Sequence, residues 1–148
     1  MVAIESTPEF VSGVYKKMQA ALEELRQRLD RPMGLADKVV LSHLDDTSAE
    51  GLNPGHSYLL LRPDRVALQD VLGQTVMLQF MQTGMTRTAV PTTVHCDHLI
   101  QARAEGGVDL LESVEENSEV YDFLKSAAAK YGAGFWAPGA GIIHQVVL

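Results

Sequence analysis

The densest group of chemically reactive side chains is the run of His95, Cys96, Asp97 and His98. It follows residues 88–94, which are rich in β-branched side chains and predict a strand. The run therefore lies where a strand gives way to a loop, the usual place for active groups in α/β proteins. A carboxylate beside an imidazole can hold the ring in one tautomer, which suits a histidine that delivers a proton near neutral pH.

Three interpretations of this run are open from the residues alone. The side chains can satisfy backbone hydrogen bonds at a strand end, without any chemical role. They can form a catalytic acid–base pair. They can also contribute to a zinc or iron site, although one cysteine and two histidines fall short of a complete tetrahedral ligand set.

Two further residues could join such a site. His144 lies in an apolar run after a glycine-rich stretch, where a histidine is more often a hydrogen-bonded core residue than a catalytic one. Gln69 lies in a predicted helix, and its simplest interpretation is a surface residue. Residues 132–141 lack the spacing of a phosphate-binding glycine loop, so a nucleotide site is not predicted.

The elements that must position these residues follow from the apolar spacing. Apolar residues three and four apart predict an amphipathic helix from Thr7 to about Leu29 and a shorter helix over residues 35–44. Thr7 is a capping hydroxyl followed by Pro8, and both suit a helix start. The same period predicts helices over residues 66–81, where Gly73 costs about 1 kcal/mol, and over residues 109–130.

Short apolar or β-branched runs predict the strands. Residues 58–61, which precede Pro63, are expected to form a buried strand, and residues 88–94 a second one that Pro91 kinks or confines to an edge. Residues 142–148 are expected to form a strand that stops without a turn or polar tail, as if cut. Strands alternating with helices predict an α/β layer architecture.

Composition narrows the function classes. The 148 residues suffice for one domain with a real core, and the net charge of −7 argues against a general nucleic-acid binder. It leaves room for an anionic small substrate held by local basic groups. No apolar run approaches the ~20 residues that span a bilayer, and acids in the first 30 residues argue against a secretory or transit peptide. Cys96 is the only cysteine, which excludes an intrachain disulfide and suits a reducing compartment.

Four ordered stretches resemble the N-terminal part of the mitochondrial-type aconitase family. Residues 58–70, YLLLRPDRVALQD, are similar to the segment with a substrate-contacting glutamine, and residues 90–100, VPTTVHCDHLI, to the Asp–His motif. EVYDFL at 119–124 leads to KYGAGFWAPG at 130–139, and GAGIIHQ at 139–145 is similar to the stretch with a second catalytic-site histidine. The resemblance covers roughly residues 30–148, and the leading helix more loosely.

The resemblance implies a role for each residue. Gln69 would hydrogen-bond a substrate carboxylate or hydroxyl. Asp97 and His98 would form a pair in which His98 protonates the leaving hydroxyl or a bound water, and His144 would tune that water or hydroxyl in the same pocket. The implied reaction dehydrates citrate to cis-aconitate and rehydrates it to isocitrate, with an iron of a [4Fe-4S] cluster as Lewis acid.

The resemblance also implies a fold and what lies outside this chain. The expected fold is a three-layer α/β/α domain, incomplete at its C-terminal end, formed by residues 31–148 behind a leading helix in residues 1–30. Three cysteine thiolates would hold the cluster, yet the position of Cys96 resembles a non-ligand cysteine. No metal ligand is therefore expected here, and the cluster cysteines, the serine base and most substrate-binding arginines are expected elsewhere in the full-length enzyme.

The chain is accordingly expected to form one wall of an active site and to be inactive alone. Its expected partners are the tricarboxylate substrate and the remaining domains of the same enzyme, with no nucleic acid and no membrane. Two alternatives stand beside this hypothesis: a sister hydro-lyase acting on homoaconitate or an isopropylmalate, and a non-enzymatic aconitase-like binding module. Bacterial cytoplasm and mitochondrial matrix are both compatible locations.

Overall fold

The computed structural model describes residues 6–147, which form two compact units. One unit comprises residues 6–64, and the other runs from Arg65 to the end of the described part. Residue 148, the last of the predicted closing strand, lies outside the described residues. The second unit contains every site residue that was predicted from the sequence.

The first unit is built on a leucine core between two helices. Helix α1, Pro8–Arg28, begins after Thr7, whose Oγ1 accepts a hydrogen bond from the Phe10 amide at 3.2 Å. This confirms the predicted leading helix to within one residue at each end. Helix α2, Leu35–Leu41, ends three residues earlier than predicted. The core of the first unit consists of Leu25, Leu41 and Leu44, with Leu29, Leu52 and Leu59 packed against them.

The buried strand predicted for residues 58–61 is wrong. The side chains of Tyr58 and Leu60 point to solvent, with exposures of 103% and 78%, and Leu61 forms an isolated antiparallel bridge with Leu44. One backbone hydrogen bond, from the Asp45 amide to the Leu60 carbonyl, joins this run to residues 43–45, and the Arg62 amide directly after the run donates to the His43 carbonyl. A strand needs a longer run of such pairs to satisfy its amides and carbonyls.

The second unit contains a three-stranded parallel sheet. Strands β1, Val66–Gln69, β2, Thr92–His95, and β3, Gly134–Trp136, lie in the order β1-β2-β3. All four residues of β2 are buried, as expected for the central strand. In the register of the sheet Gln69 lies opposite His95, and His95 opposite Trp136. The carboxyl ends of the three strands therefore share one edge, the edge at which parallel sheets place their sites.

Two helices pack on each other and on this sheet. They are α3, Asp70–Gln82, and α5, Ser118–Tyr131, and their core includes Met77, Val94 and Leu124. A Cβ added at Gly73 would lie 3.4 Å from the Cβ of Leu68 and 3.8 Å from Leu124. Glycine at this position therefore lets α3 approach the sheet closely, which offsets its low helix propensity.

Three predicted boundaries in this unit are wrong. Residues 66–69 form β1 and not the first turn of a helix, because Gln69 caps the start of α3. The helix predicted over residues 109–130 is two helices, α4, Gly106–Glu116, and α5, which meet at Asn117. The strand predicted over residues 88–94 is present, but it begins at Thr92, directly after Pro91.

The chain after α5 also differs from the prediction. The glycine-rich stretch contains strand β3, and residues 143–147 form helix α6, Ile143–Val147, and not a strand. Gly139 and Gly141 have φ angles of 85° and 122°, so they turn the chain in a way that other residues resist. The apolar run then starts a helix because the Ile143 amide finds an acceptor in the Asp97 carboxylate at 2.8 Å.

Strands and helices alternate along the second unit, as β1-α3-β2-α4-α5-β3-α6. The predicted α/β class is confirmed. Within residues 6–147 no helix has the length and apolar character needed to cross a bilayer.

Candidate functional site

The site lies at the carboxyl edge of the parallel sheet. Gln69 ends β1 and His95 ends β2, and the chain after β2 continues through Asp97 and His98 without regular secondary structure. Because the two strands are parallel neighbours, the segments that follow them emerge side by side. The sheet therefore brings residues that are about 30 positions apart in sequence to one place.

Asp97 and His98 form the pair that the sequence predicted. Oδ1 of Asp97 lies 2.7 Å from Nδ1 of His98, the distance of a charge-assisted hydrogen bond. A carboxylate accepts, so Nδ1 carries a hydrogen and donates. The His98 side chain is 38% exposed whereas that of Asp97 is 9% exposed. The imidazole of the pair is therefore accessible to solvent, whereas the carboxylate that holds it is mostly buried.

The second oxygen of Asp97 fixes the segment that carries His144. Oδ2 accepts a hydrogen bond from the Ile143 amide at 2.8 Å, at the start of α6. The rings of His98 and His144 lie 6.5 Å apart between centroids, at an angle of 67°. His144 is exposed, so its interpretation as a core histidine is wrong. Asp97 therefore joins both histidines, one through a ring nitrogen and the other through the neighbouring backbone.

Gln69 lies on the adjacent strand end, where its side chain performs a structural task. Oε1 accepts hydrogen bonds from the amides of Val71 at 2.8 Å and Leu72 at 3.4 Å, and so caps α3. Its interpretation as a surface residue of a helix is wrong, because it is half-buried in β1. The capping bond fixes the carboxamide and leaves its NH₂ group as the donor for any ligand.

Asp70 is the site residue that the sequence analysis missed. Its side chain is fully buried, and its oxygens accept hydrogen bonds from the amides of His98 and Leu99, each at 3.2 Å. Oδ1 also lies 3.7 Å from Nδ1 of His98. An acid that directly follows a strand end was the available signal, but the expectation of a helix over residues 66–81 concealed that strand end.

The arrangement of Asp70, Asp97 and His98 does not require a metal ion to hold it together. Among the described residues, the group with suitable spacing is Asp70, Asp97 and His98, whose ligand atoms lie within 4.8 Å of one another. Each of the four carboxylate oxygens already accepts a hydrogen bond from an N–H group. These bonds satisfy the carboxylates without a metal ion, so hydrogen bonding alone explains the arrangement.

Cys96 is a buried thiol without access to solvent. Its exposure is 2%, and burial, followed by the nearby carboxylates of Asp70 and Asp97, raises its pKa from 9.0 to about 12. The thiolate is the form that ligates metals and attacks electrophiles. A thiol that is this deeply buried and resists ionisation has the character of a core residue.

His95 is also a core residue. It is fully buried and stacks on Trp136 with 5.0 Å between ring centroids, and its Nε2 lies 2.9 Å from Oγ1 of Thr93. Burial, and next the positive charge of Arg65, lower the pKa of His95. A neutral, enclosed imidazole is unsuited to proton exchange with a substrate, so His95 supports the sheet edge.

A cavity of about 530 Å³ opens beside Asp97, between residues 100–106 and 139–142. Among the described residues Arg103 is the one cation that lines it, and Asp97 and Asp109 bring carboxylates to it. The Arg103 guanidinium already donates to Gln101 at 2.6 Å and 2.9 Å and to Glu112 at 3.4 Å. The described residues therefore do not neutralise a polyanionic ligand in this cavity.

Comparisons with known proteins identify the family of this chain. The model of the aconitase family (aconitate hydratase) matches residues 37–148, which include all of the site. Over 134 residues, 90% of this chain, it is 58% identical to the mitochondrial aconitate hydratase of Aspergillus fumigatus and 54% to that of Saccharomyces cerevisiae. The probable mitochondrial aconitate hydratase of Caenorhabditis elegans is 48% identical over the same length. The match spans 17% of each relative. Its sequence places this chain in the aconitase family.

Proposed function

We propose that this chain is the N-terminal part of an aconitate hydratase, which interconverts citrate and isocitrate through cis-aconitate. The observation that carries the proposal is the Asp97–His98 pair, in which the carboxylate holds Nδ1 at 2.7 Å. The ring then presents Nε2 for proton exchange. Relatives at 48–58% identity named aconitate hydratase support this activity over the sister hydro-lyases and over a binding module.

His98 acts as the proton donor to the departing hydroxyl in this proposal. Nδ1–H donates to Asp97, so Nε2 is the atom that gives up and takes back the proton. The Asp97 carboxylate fixes the orientation and tautomer of the ring, and the Ile143 amide keeps the carboxylate in place. Dehydration and rehydration use the same proton in opposite directions.

His144 and Gln69 complete the wall that this chain contributes. His144, held near His98 by the bond at Ile143, tunes the protonation of the departing hydroxyl or water. Gln69 donates from its NH₂ group to a substrate carboxylate or hydroxyl, because its oxygen already caps α3. The single arginine of the cavity at Asp97 supports the proposal that the cations for three carboxylates come from elsewhere in the protein.

The [4Fe-4S] cluster of the family would supply Lewis-acid chemistry when bound, but the residues present do not hold it. Cys96 is the one cysteine, and its raised pKa and burial disfavour the thiolate that a cluster requires. We therefore place the cluster ligands outside this chain and expect the chain alone to bind no cluster.

The fuller fold and setting are part of the same proposal. The three parallel strands with helices support a three-layer α/β/α domain in the whole protein, with a leading helix within residues 1–30 and residues 31–148 as part of the domain. Residues 1–5 of the first range lie outside the described residues. Exposed apolar residues of α3 support contacts with its remaining domains; they include Val71, Leu72 and Leu78. The relatives named as mitochondrial support the mitochondrial matrix over the bacterial cytoplasm.

The test is turnover of the complete protein that contains this chain. His98→Asn should lower kcat by about 10²–10⁴-fold, with the KM for citrate little changed, because the proton matters in the transition state. His56→Asn is the matched control, since His56 is an exposed histidine of the first unit and should leave both constants unchanged. Equal losses in kcat and affinity, or no loss, would remove His98 from this role.

The 148-residue chain alone provides a second test. After anaerobic reconstitution with iron and sulfide it should show neither the visible absorption of a bound cluster nor cis-aconitate formation from citrate or isocitrate. A cluster bound stoichiometrically and lost in Cys96→Ser would contradict the assignment of Cys96 as an inert core residue.

A further inference from the structure

The side chain of Asp70 is a carboxylate in the protein interior, where a charged group is unfavourable. Its side chain has no solvent exposure, and it is the first residue of α3. A buried carboxylate is tolerated when hydrogen bonds replace the water that it has lost. Both of its oxygens are used in this way, and both partners, the amides of His98 and Leu99, belong to the segment after β2.

That segment has few other attachments. Residues 96–101 form no helix or strand, so their amides lack the partners that regular structure supplies. The Cys96 amide donates to the carbonyl of Trp136 at 3.0 Å, and the carbonyl of Leu99 accepts from the Ser113 hydroxyl at 3.1 Å. Asp70 therefore provides the bonds that fix the backbone of His98 itself.

Asp70 also faces the imidazole. Its Oδ1 lies 3.7 Å from Nδ1 of His98, and Asp97 lies 2.7 Å from the same nitrogen. Two carboxylates at one ring nitrogen favour the tautomer with hydrogen on Nδ1. The other ring nitrogen is then the one available to a ligand. Position and tautomer of His98 thus depend on a residue that a ligand cannot reach.

We infer that Asp70 is a positioning residue of the reaction: it places His98 by holding the amides of residues 98 and 99 and keeps the ring hydrogen on Nδ1. The inference rests on the proposed function, because it assigns Asp70 an effect exerted through the proton donor. It also explains why a carboxylate is kept in the core directly after Gln69, where an apolar residue would be easier to bury.

The chain offers a control in Asp37, in the first turn of α2 in the first unit. Its Oδ2 accepts hydrogen bonds from the Gly34 amide and from the Arg31 guanidinium, each at 2.9 Å. Asp37 does not line the cavity beside Asp97. Asp70→Asn and Asp37→Asn therefore make the same chemical change to a carboxylate that holds a backbone amide, once in the site and once outside the residues of the site.

The experiment measures turnover and thermal stability of both variants in the complete protein. Asp70→Asn should lower the Tm, and it should lower kcat by about tenfold or more with KM changed less than about twofold. Asp37→Asn should keep kcat within about twofold of the unchanged protein. Asp70→Ser, which is smaller and keeps one acceptor, serves with the same expectation if Asn prevents folding.

A double variant separates an effect on His98 from a general loss of structure. If Asp70 acts through His98, then Asp70→Asn combined with His98→Asn should lose little more activity than His98→Asn alone. Losses that multiply, or equal losses in kcat for Asp70→Asn and Asp37→Asn, would overturn the inference. A large loss of turnover in His98→Asn with none in Asp70→Asn would overturn the inference about Asp70 and leave the proposed function standing. Unchanged turnover in His98→Asn would overturn both the proposed function and the inference.

Discussion

Alkylation of Cys96 tests whether the interior of the site is as closed and as negative as the structure shows. Burial and the carboxylates of Asp70 and Asp97 raise the pKa of this thiol from 9.0 to about 12. Each pKa unit changes the thiolate fraction tenfold, so near pH 8 the native chain should hold about 10³-fold less thiolate than the unfolded chain. The 2% exposure of the residue slows the reagent further.

The assay follows modification by iodoacetamide by mass spectrometry, in the native chain and in guanidinium. Because Cys96 is the only cysteine, the added mass reports one site. Native alkylation should be at least about 10³-fold slower than alkylation of the unfolded chain. In a Cys96→Ser background, Ser126→Cys places a thiol at an exposed position of α5 and should react within about tenfold of the unfolded rate.

A native rate for Cys96 within about tenfold of the unfolded rate would refute the reasoning. The thiol would then be accessible and ionisable, and its exclusion as a cluster ligand would lose its physical basis. A slow alkylation rate at Ser126→Cys would instead show that the reagent itself, and not burial of the thiol, limits the rate in the native chain.

Two further predictions concern stability, measured by urea unfolding. Leu124→Ala should lower the free energy of unfolding by about 2–5 kcal/mol, because Leu124 is fully buried where α5 packs on α3 and the sheet; a loss below about 1 kcal/mol would contradict this packing. Since burial and Arg65 lower the pKa of His95, the folded state resists protonation that the unfolded state accepts near its ordinary pKa of 6.5. Stability should therefore be full above that pH and fall below it, and His95→Gln should reduce the fall.

Local signals predicted the elements whose cause lies within a few residues. Thr7 and the apolar spacing behind it specify α1, because a cap and an amphipathic stripe act along one helix. The Asp97–His98 pair was equally accessible, since adjacent side chains can meet without any help from the fold.

Long-range pairing decided the elements that the sequence misassigned. Residues 66–69 have an apolar pattern compatible with a helix, and they form β1 because β2 lies beside them in parallel register. Residues 134–136 form β3 for the same reason, although glycine is a poor strand former. Residues 58–61 have the composition of a strand, but the described residues give them only an isolated bridge.

The sequence by itself determined the family, the α/β class and the residue types of the site. The tertiary structure decided how those residues work together: the parallel register places Gln69 and Asp70 beside the segment after β2, and the Ile143 amide joins His144 to Asp97. The physical reason is that a buried carboxylate pairs with nearby backbone amides that have no hydrogen-bond partner in a helix or strand, and the fold decides which amides those are. That property belongs to the packed chain, so Asp70 was recognisable only once the sheet was seen.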